Sequence, residues 1–357
     1  MFEAVLALCL AASPETCRDA LLPGYEAMER AICEARLAAN PPDRPAGASA
    51  AARPRCVRAG PALSLDEIAP GVFVHVGQIA EPSAANGADI SNIGVVIGTE
   101  AIAVIDAGGA AWIAEALWRA IRKRSALPLH YVILTHMHPD HVMGADVLRR
   151  AGAGIVGHAR LSRALADRRA NYFESLSALI GARQLLGSGD GIGANGPEIP
   201  IEAGETVRLA LGGRTLGVRA WPNAHTGTDV SVHLEEEGLF FAGDLLFETH
   251  VPALDGSLTG WQRTLEALGA PPDTPPALPE RAVPGHGPAV LPWPEGGEAL
   301  VRYLDVLASD TRKALAEGQS LGAAVPGIAV SQAPFWELFD AYNPRNATVA
   351  YTELEWE

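Results

Sequence analysis

Thr135-His136-Met137-His138-Pro139-Asp140-His141 places three imidazoles and a carboxylate within six residues, at the end of the run Tyr131-Val-Ile-Leu-Thr135. The run reads as a buried strand, so the motif starts the loop at a strand's carboxyl end, where sites form in α/β sheets. Imidazoles and a carboxylate crowded together are costly to bury unless each is hydrogen-bonded or bound to a metal. His136 and His138, two apart in extended backbone, can project in one general direction and grip one ion. Pro139 stiffens the turn that re-aims Asp140 and His141, and donors on two sides of a turn suit two adjacent ions.

Three single residues further along sit in turn-like settings, each after an apolar run. They are His225 in Trp221-Pro-Asn-Ala-His-Thr-Gly227, Asp244 in Phe240-Phe-Ala-Gly-Asp-Leu245, and His286 in Val283-Pro-Gly-His-Gly287. A lone histidine more often fills a core than binds a metal; the set, read with the dense motif, predicts metal binding. Asp106 in Ile105-Asp-Ala-Gly-Gly109 reads as a turn residue before two glycines. His250, a few residues after Asp244, is either a substrate-side group or a loop histidine. His75 and His158 read as structural. Trp221 and Trp261 either wall a pocket or fill the core.

Outward from the motif, short β-branched runs alternate with Ala- and Leu-rich stretches, the pattern of a layered α/β domain. Strands are predicted at Val72–Val76, Gly94–Ile97, Ala101–Ile105, Val207–Leu209, Thr215–Ala220, Val230–Leu234, Leu239–Ala242 and Ala282–Pro284. Helices are predicted at Ala111–Arg124 and Trp261–Leu268. The basic end of the first helix, Arg119 to Arg124, reads as a solvated helix C-terminus, which favours cations. Gly187–Pro200 and Leu246–Gly260 read as loops that set selectivity.

The order T-H-x-H-x-D-H, lone His, G-D, G-H-G resembles the metallo-β-lactamase superfamily over about Leu63 to Leu307. The resemblance implies an α/β fold of the four-layered αββα kind, with His136, His138 and His225 on a first metal and Asp140, His141 and His286 on a second. Asp244 would bridge the two, with Asp106 supporting the site from behind. The cofactors implied are two Zn²⁺, iron and manganese also suiting such donors. Within the superfamily the chain is similar to quinoprotein relay system zinc metallohydrolases, related to SoxH-type proteins. That likeness rests on Gly71–Gly77, Val251–Leu258, Asn343–Thr348 and Glu353–Glu357. It implies association with a quinoprotein dehydrogenase system in alcohol oxidation, in the periplasm.

The expected activity is hydrolysis of a small molecule by water activated between two ions, with Asp140 orienting that water and taking its proton. A one-iron oxygenase of the same fold and a non-catalytic metal- or quinone-binding accessory protein are the other readings. The expected organisation is a Cys-containing helical segment at 1–38, a Pro/Ala-rich linker at 39–62, the metallo-β-lactamase domain at 63–310 and a C-terminal extension at 311–357 packing on that domain.

Composition excludes other classes. Forty-two acidic against 27 basic side chains in 357 residues give a formal charge of −15, which repels phosphate backbones and argues against a nucleic-acid partner. No apolar stretch approaches the roughly 20 residues that cross a bilayer. All four cysteines, Cys9, Cys17, Cys33 and Cys56, fall in the first 56 residues. They fit either a disulfide-stapled cap from an oxidising compartment, with three pairings open, or unrelated thiols. The run Val5–Ala12 resembles the core of a signal peptide, but Glu3 stands where a cation is expected. Localisation is therefore either periplasmic or cytoplasmic.

Overall fold

The computed structural model describes residues 1–43, 52–193, 196–270 and 279–357. The chain divides into two compact units. The first comprises Met1–Leu134, His138–Val156 and Ser162–Ile199; the second comprises Thr135–Met137, Gly157–Leu161 and Pro200–Glu357.

The first unit begins with a hairpin, β1 (Phe2–Leu10) and β2 (Ser13–Ala27), followed by α1 (Arg30–Ala39) and β3 (Arg55–Arg58), in sheet order β2-β1-β3. This corrects the helical reading of residues 1–38 over Phe2–Ala27, while α1 is helical as expected. β1 is paired on both edges, with β2 and with β3, and its residues Glu3 to Leu6 are buried; this tertiary pairing overrides the helix propensity of an Ala-rich run. Cys9 pairs with Cys17 across the hairpin, and Cys33 on α1 pairs with Cys56 on β3. Part of the expected linker is thus a bonded strand, while its residues 44–51 lie outside the described residues.

The unit continues with β4 (Asp66–Ala69), β5 (Val72–His75), β6 (Ile93–Ile97), β7 (Ile102–Ile105), α2 (Ala111–Arg122), β8 (Leu129–Ile133), α3 (Pro139–Val142), α4 (Ala145–Arg150), β9 (Gly154–His158), α5 (Leu161–Ile180), α6 (Ala182–Leu185) and β10 (Ile199–Ile201). The strands from β4 to β10 form a seven-stranded sheet in which β7, β8 and β9 run parallel. Ile102, Ala103, Val104 and Ile105 are all buried, as a parallel strand with both faces covered requires.

Two ion pairs fasten the N-terminal sheet to α2. Arg18 forks onto Glu115 at 3.0 Å, and Arg119 forks onto Glu3 at 2.8 Å. Arg119 is therefore buried and paired rather than part of a solvated helix end. Glu3, out of place in a signal peptide, is its partner, and both are removed from solvent. His75 bonds Asp89 through Nε2 at 2.8 Å and Ser64 O through Nδ1 at 3.1 Å.

The second unit holds a six-stranded sheet of β11 (Thr206–Ala210), β12 (Thr215–Ala220), β13 (Val230–Leu234), β14 (Leu239–Phe247), β15 (Arg281–His286) and β16 (Leu291–Pro292), in that order. Its helices are α7 (Leu258–Gly269), α8 (Glu298–Ala316), α9 (Leu321–Ala324) and α10 (Phe339–Leu354). One apolar core gathers Phe240 and Phe247 of β14, Trp261 of α7, Tyr303 and Leu307 of α8, and Ala347 and Ala350 of α10. The expected boundary at residue 311 falls inside α8, which runs unbroken through it, and α10 packs into the same core. Each unit thus combines β-sheet with helices, the mixed α/β composition expected. Among the described residues, no helix is long and apolar enough to cross a membrane.

Candidate metal centre

The two units divide the motif: His136 belongs to the second, while His138, Asp140 and His141 belong to the first. In the second unit, the Thr135 carbonyl accepts from Val230 N–H at 2.7 Å, which seats the start of the motif against β13. Thr135 Oγ1 lies 3.0 Å from His136 Nδ1, so His136 presents Nε2. His225 sits in the turn between β12 and β13, where the Asp229 carboxylate accepts from the backbone and hydroxyl of Thr226 at 2.8 and 2.6 Å. Burial pushes the Asp229 carboxyl up to about 8 against those bonds, and the charge of Asp244 adds to the rise. The His225 ring packs edge-on against Trp261, with centroids 5.0 Å apart.

Asp244 and His286 come from adjacent parallel strands. The sequence ends its strand at Ala242 and puts Asp244 in a turn; the structure carries β14 on to Phe247, with Asp244 inside it. The β14–β15 register shifts on both sides of Gly243, whose φ is +54°. Such an irregularity re-aims a side chain that a regular ladder would direct elsewhere. Across from it, a Cβ on Gly285 would stand 1.9 Å from Asp244 Oδ1, so only glycine leaves that carboxylate its room.

Asp244 is the centre of this half. Its Oδ2 lies 3.6 Å from His136 Nε2 and 3.4 Å from His225 Nε2, and its Oδ1 lies 3.5 Å from His286 Nε2. These separations exceed ordinary hydrogen bonds. They match donors on a common ion: two groups each 2.0–2.1 Å from a tetrahedral zinc stand about 3.3 Å apart. The donor atoms of His136, His225 and Asp244 lie within 4.8 Å of one another. The donor set and its spacing therefore fit a divalent metal.

The first unit carries a second cluster. His141 Nδ1 lies 2.8 Å from Asp106 Oδ2, and its Nε2 lies 3.4 Å from Asp140 Oδ2. The Asp140 carbonyl accepts from Ser91 Oγ at 2.6 Å and the His141 carbonyl from Ala107 N–H at 2.8 Å, which hold α3 in place. Ser91 was not singled out by sequence, and nothing in its neighbours signals that contact.

His250 is buried beside His286, with ring centroids 4.9 Å apart, and its Nδ1 lies 2.9 Å from Val251 O. His286 also stacks on Phe247, 11° from coplanar. Trp221 and Trp261 are both buried, Trp221 donating to Ser231 Oγ and Trp261 to Leu245 O. His158 Nδ1 accepts from Arg160 N–H at 3.0 Å. The Gly187–Pro200 loop ends in β10, and its residues 194–195 lie outside the described residues.

Among solved structures, a metallo-beta-lactamase from Pontibacter korlensis matches with 21% identity and a TM-score of 0.52, over 68% of this chain and 99% of that one. A metallo-beta-lactamase from Hirschia baltica matches at 17% and 0.50, over 68% and 97%. A stereoselective inverting sec-alkylsulfatase from Pseudomonas sp. matches at 13% and 0.61, over 82% of this chain and 50% of that one. At such identities the likeness is one of fold. Residues 86–286, more than half of the chain and the stretch containing every candidate ligand, match the family described as the metallo-beta-lactamase superfamily. The chain belongs to the metallo-beta-lactamase superfamily.

Proposed function

We propose that this chain is a metal-dependent hydrolase with two ion positions, one held by His136, His138, His225 and Asp244 and the other by Asp140, His141 and His286, with Asp244 shared. The observation that carries the reading is the spacing around Asp244, where three imidazole nitrogens stand 3.4–3.6 Å from one carboxylate. Donors of nitrogen and oxygen without thiolate suit zinc.

Divalent ions held there supply a nucleophile from water at neutral pH and polarise the substrate's reacting oxygen. The chain's own groups do the rest. Asp140 orients the attacking water and accepts its proton. Thr135 and Asp106, each against an Nδ1, leave the Nε2 of His136 and His141 as the presented nitrogen. Trp261 and Phe247 keep water from the back of the His225 and His286 rings. His250, with Nδ1 on Val251 O and its ring beside that of His286, is the residue we assign to meet the substrate. Carbonyl, thioester, lactam, phosphoester and sulfate esters are the substrate classes this chemistry serves, the last prompted by the alkylsulfatase likeness.

The two disulfides support an oxidising compartment, and we place the protein in the periplasm, serving a quinoprotein dehydrogenase system. The test is elemental mass spectrometry on protein purified without chelator or metal affinity resin, beside His141→Ala. About two zinc ions in the parent and one in the variant support the proposal. A single iron that the substitution leaves in place overturns it.

A further inference from the structure

The sequence segments Val251–Leu258 and Asn343–Glu357 enter none of the chemistry above, yet the structure bonds them to each other and to His225. Asn346, buried on α10, donates to Pro252 O at 2.7 Å and to Tyr303 Oη at 2.8 Å, and accepts from Leu254 N–H at 2.9 Å. Asn343, one turn earlier, donates to Ile328 O and accepts from the same Tyr303 hydroxyl. About two turns beyond Asn346, the Glu353 carboxylate accepts from Ser257 Oγ, Leu258 N–H, Thr259 N–H and Thr259 Oγ1, at 2.6–3.1 Å. It thereby closes the first turn of α7, where an anion is favoured.

From this clamped segment two routes reach the same ligand. Along the backbone, Asp255 N–H donates to His225 O at 3.0 Å and Ser257 N–H to Ala224 O at 2.8 Å. Through the side chains, α7 carries Trp261, whose ring meets the His225 ring. The approach is too close for any side chain between them: a Cβ on Gly256 would stand 2.2 Å from Ala224 O, and one on Gly260 2.0 Å from Asn223 O. Both the main chain and the imidazole of His225 are thus held by a segment that α10 holds.

We propose that Asn346 and Glu353 are positioning residues for His225, so that α10, remote in sequence from every candidate ligand, sets the affinity of the metal position that includes His225. This rests on the metal-binding reading above. Partners behind a ligand change metal affinity by about 10–100-fold when removed, and these two act on one ligand through both its backbone and its ring.

The experiment is titration of the metal-free full chain with Co²⁺, reading the visible ligand-field spectrum and the affinity by chelator competition. Parent, Asn346→Ala, Glu353→Ala and, as a surface control on the same helix, Thr348→Ala are compared, with the melting temperature of each metal-free protein measured alongside. The proposal expects about a tenfold or greater loss of affinity and an altered spectrum in the first two variants, and none in the control. Asn346→Asp, which keeps the oxygen facing Leu254 N–H and loses the donating amide, should fall between. If an alanine variant does not fold, Asn346→Asp and Glu353→Gln are read by the same criteria. Variants that melt lower but bind Co²⁺ with the parent's affinity and spectrum overturn the positioning role. A parent that binds no Co²⁺ overturns the metal reading beneath it.

Discussion

Asp106 Oδ2 lies 2.8 Å from His141 Nδ1, and the carboxylate reaches it from a left-handed backbone with φ of 64°. Few side-chain-bearing residues adopt that conformation cheaply; aspartate is one of them. The contact turns His141 so that Nε2 faces Asp140. Replacing Asp106 by asparagine keeps the backbone tolerance and removes the charge, whereas alanine removes both. Asp106→Ala should therefore lower metal affinity at the His141 position about 10–100-fold, and Asp106→Asn less, as measured by competition with a chelator.

Gly285 lies against the other carboxylate. A methyl group there would meet Asp244 Oδ1 at 1.9 Å, and Asp244 is the group that His136, His225 and His286 all face. Gly285→Ala should empty both ion positions rather than one, in contrast to His141→Ala. Metal content per chain, measured on folded protein, separates the two outcomes.

The Glu3–Arg119 pair is buried on both sides, with Glu3 2% and Arg119 8% exposed. Removing one partner strands the other charge away from water, so Glu3→Leu or Arg119→Met alone should cost about 3–5 kcal/mol. Replacing both together, as Glu3→Leu with Arg119→Met, should recover most of that loss, because a packed apolar pair needs no counter-charge. Denaturation of the two single variants and the double variant gives the coupling directly. A double variant as unstable as the sum of the singles would show that packing, not charge, holds β1 to α2.

His75 supplies a pH dependence. Burial pushes its pKa down, but the hydrogen bond and charge of Asp89 outweigh that and leave it raised above its ordinary value of 6.5. A base whose folded pKa is raised binds its proton more tightly when folded. Its contribution is then full below about pH 6.5 and is lost as pH climbs through the raised value. The melting temperature of the parent relative to His75→Gln should accordingly show its largest advantage at mildly acidic pH and a smaller one above neutrality. An advantage that grows with pH would contradict the assignment.

How far the chain could be read from its residues varies by region. The strands on either side of His225 follow from short runs in which Leu216, Val218 and Ala220, and Val230, Val232 and Leu234, stand at every second position, a local pattern that needs no knowledge of the partner strand; Thr215–Ala220 and Val230–Leu234 have the predicted bounds in the structure. The N-terminus failed the same treatment. An Ala- and Leu-rich run has no decisive period of its own, and its strand state depends on a hairpin partner, two disulfides and Arg119 of a distant helix. Asp244 was placed in a turn because Gly243 looks like a strand's end, whereas β14 passes through a register shift and resumes.

By itself, the sequence determined which donors are available and in what order, since three histidines and an aspartate in six residues after a buried strand are a local fact of composition and spacing. It also determined the α/β class, because hydrophobic periodicity is written along the chain. Only the tertiary structure decided which nitrogen each imidazole presents, which cysteines pair, and that Asn346 and Glu353 bear on His225. Those outcomes depend on backbone groups and side chains from remote segments meeting at hydrogen-bond distance, and no local pattern encodes such distances.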